Sequence, residues 1–124
     1  DADGHSISDV IFQGYAETVV ATESASGAVN LGLSAGNVHV VTLAGDVSNL
    51  SLVNPSAGAA SSVTVVLHQD STVRSVQWDA AIVWRDGEAP ALATAEATTI
   101  LTFVTVDGGS IWYGMEVGEF SAGN

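Results

Sequence analysis

Three histidines are the side chains of this 124-residue chain that could most readily hold a metal ion: His5, His39 and His68. A zinc site needs three or four converging ligands, usually with one pair close together in sequence. These histidines are far apart and form no H-x-H or H-x3-H pattern, so we expect single surface or strand histidines and no metal site. The acidic start DADG matches only the first part of a calcium-loop motif, which leaves weak calcium binding as an open alternative.

The carboxylates that could act on a glycosidic bond are Asp79, Asp86 and Glu88, which fall in adjacent predicted turns. Glycoside hydrolysis requires two carboxylates roughly 5–10 Å apart across a cleft, but any acidic β protein offers such a trio. No serine lies in a G-x-S-x-G motif, and no set of serine, histidine and aspartate indicates an activated nucleophile. We therefore predict that the chain is not an enzyme and that it needs no cofactor.

The aromatic residues offer a second kind of chemistry, which is binding by stacking. Trp78 and Trp84 lie in neighbouring predicted strands and could stack on the face of a sugar. They could equally fill the space between two sheets, because a tryptophan buries a large area and its N–H needs only one partner. In an all-β domain with few aromatic residues, the core position is the favoured interpretation, and ligand stacking by this pair stays as the alternative.

The charge balance excludes two classes of partner. Fourteen acidic residues face two arginines and no lysine, which gives a net charge of -12. Nucleic acid is excluded because phosphate binding relies on Lys and Arg, and anionic membrane surfaces are excluded for the same reason. The chain has no cysteine, and hence no disulfide, and no apolar run long enough for a transmembrane helix.

The stretch ILTFVTVDGGSIWYG at residues 100–114 is the most clearly organised part of the chain. Its β-branched and aromatic residues favour strands, and Asp107, Gly108 and Gly109 accept the positive φ angles of a tight hairpin turn. Trp112 and Tyr113 then begin the return strand. The small-residue loop around Gly58 is expected to tolerate a side chain better than this turn.

The remaining pattern predicts an all-β fold without a convincing helix. Strand-like alternation and turn residues recur about every eight to twelve positions, which gives eight to ten short strands in an antiparallel, jelly-roll-like β-sandwich. No repeat period is visible, so a solenoid is not favoured. We predict an arm or linker at 1–13, the sandwich at 14–118 and a tail at 119–124. The predicted core consists of Val29, Leu31, Val41, Leu43, Leu50, Leu52, Val63, Val65, Leu67, Leu101, Phe103 and Trp112.

Several short segments together resemble a known family. They are GNV at 36–38, LAGDV at 43–47, NP at 54–55, LHQD at 67–70, VQW at 76–78, VWRDG at 83–87, APAL at 89–92 and the hairpin at 100–114. In this order they resemble a module found near the ends of tail-fibre and other virion surface proteins of tailed bacteriophages. The resemblance extends over roughly residues 14–117, and its motifs are structural and not catalytic.

The resemblance implies a structural protein of the virion surface, in an extracellular particle. The favoured role is a tail-fibre or spike-type module for assembly and host attachment, and the alternative is a capsid decoration protein that stabilises the head. A secreted carbohydrate-binding module is a further alternative. The implied partners are other copies of the chain, with a homotrimer favoured, other virion proteins and a host surface glycan.

Overall fold

The computed structural model describes residues 7–121, and nearly all of its regular structure is β-strand. The seven strands are β1 (Val19–Gly32), β2 (Val38–Val53), β3 (Ser61–His68), β4 (Val76–Trp78), β5 (Ile82–Trp84), β6 (Thr98–Thr105) and β7 (Trp112–Phe120). Within the described residues, the helical structure is one 3₁₀ turn at Arg85–Gly87, and no helix there could span a membrane. The predicted all-β class with little or no helix is confirmed.

The strands form a mixed sheet in the order β1-β2-β3-β6-β7-β5, with β4 also paired to β2. Strand β6 is antiparallel to β3 and β7. In contrast, β2 is parallel to β1, β3 and β4, and β5 is parallel to β7. The predicted antiparallel, jelly-roll-like arrangement is therefore wrong, and the described residues hold seven strands instead of eight to ten.

The parallel pairing follows from sharp bends inside β1 and β2. Val19 at the start of β1 pairs with Val38, although the connection from Gly32 to Val38 covers only about 20 Å when extended. A straight strand of 14 residues would be about 45 Å long, so β1 must fold back. Its register is interrupted between Thr22 and Ala28, and Gly36 lies so close to the start of β1 that an added Cβ would be 3.1 Å from Thr18 O.

These bends divide the sheet into two layers that share one core. The first layer contains residues 19–22 of β1, residues 38–43 of β2, and β3, β6, β7 and β5. The second layer contains residues 25–32 of β1, residues 47–53 of β2, and β4. Val19 pairs with Val38, and Val38 pairs with Thr64, so these three positions lie side by side in successive turns of the chain. The first strands thus wind like a short solenoid, which was not expected because their spacing is too unequal to show a repeat.

The core lies between the two layers and is formed by alternate residues of each strand. All twelve residues of the predicted core are buried, which confirms the inward face of β1, β2, β3, β6 and β7. Ala25, Leu33, Val47 and Ile82 complete the buried cluster, against which Trp78 and Trp84 also pack. The agreement arises because a period of two places every second side chain on the same face of a strand.

The predicted divisions between arm, sandwich and tail stay predictions, because the ends of strands do not by themselves define a domain boundary. Strand β7 continues to Phe120, two residues past position 118, and residues 7–18 precede β1 without strand structure. The beginning of the predicted arm (1–6) and the end of the predicted tail (122–124) lie outside the described residues.

Candidate functional site

The two tryptophans singled out by sequence meet at the contact between the layers. The rings of Trp78 on β4 and Trp84 on β5 lie edge to face with centroids 5.0 Å apart, and both contact the ring of Phe103 at 5.7 and 5.5 Å. Edge-to-face packing is a favoured arrangement for aromatic rings inside proteins. The two indoles therefore do not form one flat platform, and each has only part of its surface open to solvent.

A shallow cleft opens beside Trp84, where β5 lies next to β7. Its volume is about 210 Å³, and it is lined by Trp84, Arg85, Glu88, Pro90, Gly114, Met115 and Glu116. The glycine at position 114 allows the two rings to pack against the backbone of β7, because a Cβ there would lie 2.9 Å from both Phe103 Cε2 and Trp84 Cζ3. An indole edge surrounded by carboxylates and a guanidinium can contact the apolar face of a sugar and hydrogen-bond its hydroxyl groups.

The two arginines both lie beside carboxylates. Arg74 donates hydrogen bonds to Asp70 at 3.1 to 3.3 Å, and Arg85 Nε lies 3.9 Å from the Asp86 carboxylate at an exposed position. The hydrogen bonds from Arg74 hold the pKa of Asp70 below its usual value. Arg85 is thus the more accessible positive charge and belongs to the cleft beside Trp84.

The other predicted carboxylates do not face each other across a cleft. Asp79 accepts hydrogen bonds from Asn49 Nδ2 at 3.2 Å and from the Ala81 N–H at 3.1 Å, which anchors the turn between β4 and β5. Asp86 is 90% exposed in the 3₁₀ turn, while Glu88 lines the cleft. Of the three, only Glu88 is placed to contact a ligand there.

The histidines do not converge. His5 lies outside the described residues, and His39 is buried with Nε2 at 3.1 Å from Gly32 O and 3.0 Å from Gly36 O. Both neighbours are acceptors, so Nε2 carries the hydrogen and joins the start of β2 to the turn before it. His68 Nδ1 shares a hydrogen bond of 2.7 Å with Thr98 Oγ1. No group of three potential metal ligands occurs among residues 7–121.

The predicted hairpin is present, and its turn is held by side-chain hydrogen bonds. Asp107 Oδ1 accepts from the Ile111 N–H at 3.1 Å and from Thr105 Oγ1 at 2.9 Å. These bonds, the one from Ile111 first, lower the pKa of Asp107. Gly108 and Gly109 have φ values of 73° and 92°, as a tight turn requires. After the turn, Trp112 is buried and Tyr113 is exposed.

Two buried polar residues organise loops, although their sequence context does not mark them. Thr105 Oγ1 accepts the Gly109 N–H at 2.9 Å. Gln69 donates to Arg74 O and Leu92 O, each at 2.8 Å, and its Oε1 accepts the Arg74 N–H at 2.8 Å. Gln69 thus joins the segments on either side of β4 and β5. The sequence signal that could have identified these two residues is their spacing. Gln69 continues the alternation of inward-facing positions after β3, and Thr105 continues it at the end of β6.

Comparison with known proteins identifies the family. The model of the phage tail fibre C-terminal domain family matches residues 25–110, which include most of both layers and the hairpin turn. The chain therefore belongs to this family, and it is a virion-associated protein with a structural role related to phage tail fibres. No curated protein and no solved structure matches the chain.

Proposed function

We propose that this chain is a tail-fibre or spike-type module on the virion surface, where it assembles as a homo-oligomer and contacts the host. The family match over residues 25–110 carries this proposal. The resemblance implies a symmetric oligomer, with a trimer favoured, and contacts with other virion proteins. In this role the sheet is a rigid scaffold, and side chains on its surface contact the host.

We also propose that the chain catalyses no reaction. Asp79 and the two described histidines are engaged in bonds that hold turns and strands. Asp86 is 90% exposed in the 3₁₀ turn, where the nearby charge is that of Arg85 at 3.9 Å. Glu88 and Glu116 both line the cleft beside Trp84, but that cleft is shallow and does not enclose a substrate, which supports a binding protein over a hydrolase.

The cleft beside Trp84 supports a host glycan as the ligand. Arg85, Glu88 and Glu116 surround the accessible edge of the indole, and polar groups at the rim of an aromatic surface suit a sugar, which has both an apolar face and hydroxyl groups. The cleft is small and shallow, so the expected affinity per copy is weak. Several copies in one fibre would raise the overall affinity by avidity.

Competition for host cells tests the attachment role. The purified chain, added to host cells before the phage, should slow adsorption, and the Arg85→Ala, Glu116→Ala double variant should slow it much less. Glu23→Ala is the control, because Glu23 is exposed and lies outside the cleft. If the native chain leaves adsorption unchanged at saturating concentration, it does not bind the receptor. Equal competition by native chain and double variant would place the binding surface elsewhere.

A further inference from the structure

The outward face of the first layer, here called the uncharged face, is unusual for a surface in contact with water. One row across it consists of Val19, Val38, Thr64, Thr102 and Met115, which are consecutive partners in β1, β2, β3, β6 and β7. In each strand of this layer, side chains that point outward alternate with side chains that point to the core. At the paired positions, none of the outward side chains is Asp, Glu, Lys or Arg. A wide surface without charge is therefore present on a highly acidic chain.

The charged residues near this layer lie either on its inner side or outside the paired positions of its strands. Glu116 and Glu119 on β7 pair with Leu101 and Thr99, whose side chains are buried. The two glutamates therefore extend past the core side of the sheet, next to the cleft and to Thr94. The uncharged face is thus continuous across the strands.

The second layer provides an internal comparison. Its strand residues 25–32, 47–53 and 76–78 also include no Asp, Glu, Lys or Arg, but its outward face is polar. Ser51 Oγ donates to Asn30 Oδ1 at 2.6 Å, and Asn49 Nδ2 donates to Asp79 Oδ1 at 3.2 Å. Ser48 and Gln77 on the same side are exposed. One face of this two-layer fold therefore has the composition of a solvated surface, while the other has the composition of a covered one.

Charge indicates which partner covers the face. With a net charge of -12, two copies that approach through most surfaces bring carboxylates together and repel each other. The outward faces of both layers avoid this cost, but the first layer also exposes large apolar side chains such as Val19 and Met115, so a second copy can pack there. Val104 and Tyr113, which are direct partners and 40% and 53% exposed, form an apolar centre for such a contact.

The segment before β1, here called the arm (residues 7–15), is a second apolar surface, and no other part of residues 7–121 covers it. Ile7, Ile11, Phe12 and Tyr15 are between 69% and 91% exposed, although Phe12 and Tyr15 contact each other at 5.8 Å. The face alone spans about 600 Å², from six strands of about six residues each, spaced about 4.8 Å apart with a rise of about 3.3 Å per residue, whereas a stable interface buries about 800 Å² per partner. The arm of a neighbour would supply the remaining contact.

We propose that the uncharged face binds a second copy of this chain, and that the arm of that copy lies across Val104 and Tyr113. The proposal rests on the homo-oligomer in the proposed function, and it identifies the surface through which the copies bind each other. Because each copy contributes an arm to one neighbour and a face to another, the contact is heterologous and can close into a ring such as a trimer. It does not depend on the cleft beside Trp84.

The molecular mass in solution tests the face. The native chain should have a mass of at least two chains of 12.6 kDa each, and the Val19→Glu, Val104→Glu variant should have the mass of one chain. The control Ser48→Glu, Gln77→Glu adds the same charge to the outward face of the second layer and should keep the native mass. Far-UV circular dichroism and thermal melting establish that each variant is folded. A monomeric native chain, or a folded face variant with the native mass, would overturn the proposal.

Cross-linking tests the arm, and it uses substitutions that add no charge to the face. The chain has no cysteine, so Phe12→Cys in one preparation and Tyr113→Cys in another can form a mixed disulfide only between copies. After the two are refolded together and oxidised, we expect this mixed dimer in high yield, and a much lower yield when Ser48→Cys replaces Tyr113→Cys. Equal yields would show that the arm does not lie on the uncharged face, whatever the result of the adsorption test.

Discussion

At the scale of single residues, Phe103 is the side chain on which the two layers meet. It is 1% exposed, and its ring contacts Trp78 of the second layer and Trp84 of the first. We expect Phe103→Ala to lower the free energy of unfolding by about 3–5 kcal/mol, because truncation removes buried area and leaves a cavity. Urea unfolding followed by tryptophan fluorescence measures this directly.

Val104 provides the control, since it is the next residue on β6 and points to the opposite side of the sheet. Val104→Ala should cost much less in the monomer, because this side chain is 40% exposed. A loss below about 1 kcal/mol for Phe103→Ala, which is far smaller than large-to-small core substitutions produce, would contradict the assignment of the inward face.

Asp107 makes the hairpin turn sensitive to acid. Its pKa in the folded chain is lowered by the Ile111 N–H and the Thr105 hydroxyl, so the ionised carboxylate stabilises the fold. This stabilisation is fully present above the unfolded pKa of about 3.9 and is lost as the pH falls through the lower folded value. The native chain should therefore lose stability relative to Asp107→Asn between about pH 5 and pH 2.

Urea unfolding of both proteins across this pH range measures the difference. Asp70, whose pKa is also lowered, titrates in both proteins and cancels in the comparison. A difference in stability that stays constant from pH 5 to pH 2 would show that the Asp107 carboxylate does not stabilise the turn.

At the scale of elements, substitutions at three glycines distinguish the cost of an unfavourable φ angle from the cost of steric crowding. Gly58, Gly108 and Gly109 all have positive φ, at 72°, 73° and 92°, but only at Gly109 would a Cβ meet an atom closely, Pro55 Cγ at 2.9 Å. Gly58→Ala and Gly108→Ala should each cost about 1–2 kcal/mol from the unfavourable φ. Gly109→Ala should cost more, because the contact with Pro55 adds to the strain.

Thermal melting ranks the three variants. At roughly 4–8 °C per kcal/mol for a small domain, the Gly58 and Gly108 variants should melt several degrees below the native chain and the Gly109 variant lowest. The sequence-based expectation was that the loop around Gly58 tolerates a side chain better than the turn at 107–109. The φ angles do not separate Gly58 from Gly108, so the contact of Gly109 with Pro55 is the feature that favours this expectation. A Gly109 variant as stable as the Gly108 variant would show that the turn relaxes away from Pro55.

The core and the hairpin were predictable from the sequence because both depend on local patterns. Alternation alone identified residues such as Leu50 and Phe103 as inward-facing, and Asp107 with its two glycines marked the turn. The winding of β1 and β2 was not predictable, because a bend at residues 23–27 uses the same serines, alanines and glycines as a reversing hairpin. The direction of the next strand is decided by partners far away in the chain.

The candidate site was less predictable than the fold for a related reason. Trp78 and Trp84 are close in sequence, but their contact with Phe103 on β6 decides how much of each ring is left for a ligand. The loop-anchoring role of Gln69 depends on Leu92 O, which comes from a segment beyond β5. Such long-range partners are invisible to a local pattern.

At the scale of the whole molecule, charge is distributed unevenly over the fold. The chain has a net charge of -12, yet the outward face of the first layer lacks charged residues at its paired positions. Charge keeps separate particles apart in solution, while the uncharged face permits contact between copies. Family membership describes a structural component related to phage tail fibres, and this face is the surface through which we propose that copies bind each other.

Location on the particle tests the central claim most directly. Antibodies raised against this chain, applied to intact phage particles and imaged by negative-stain electron microscopy, should label the tail fibres or the tail end. Label spread over the head would contradict the tail assignment and favour a capsid decoration protein, and particles without label would contradict a place on the virion surface.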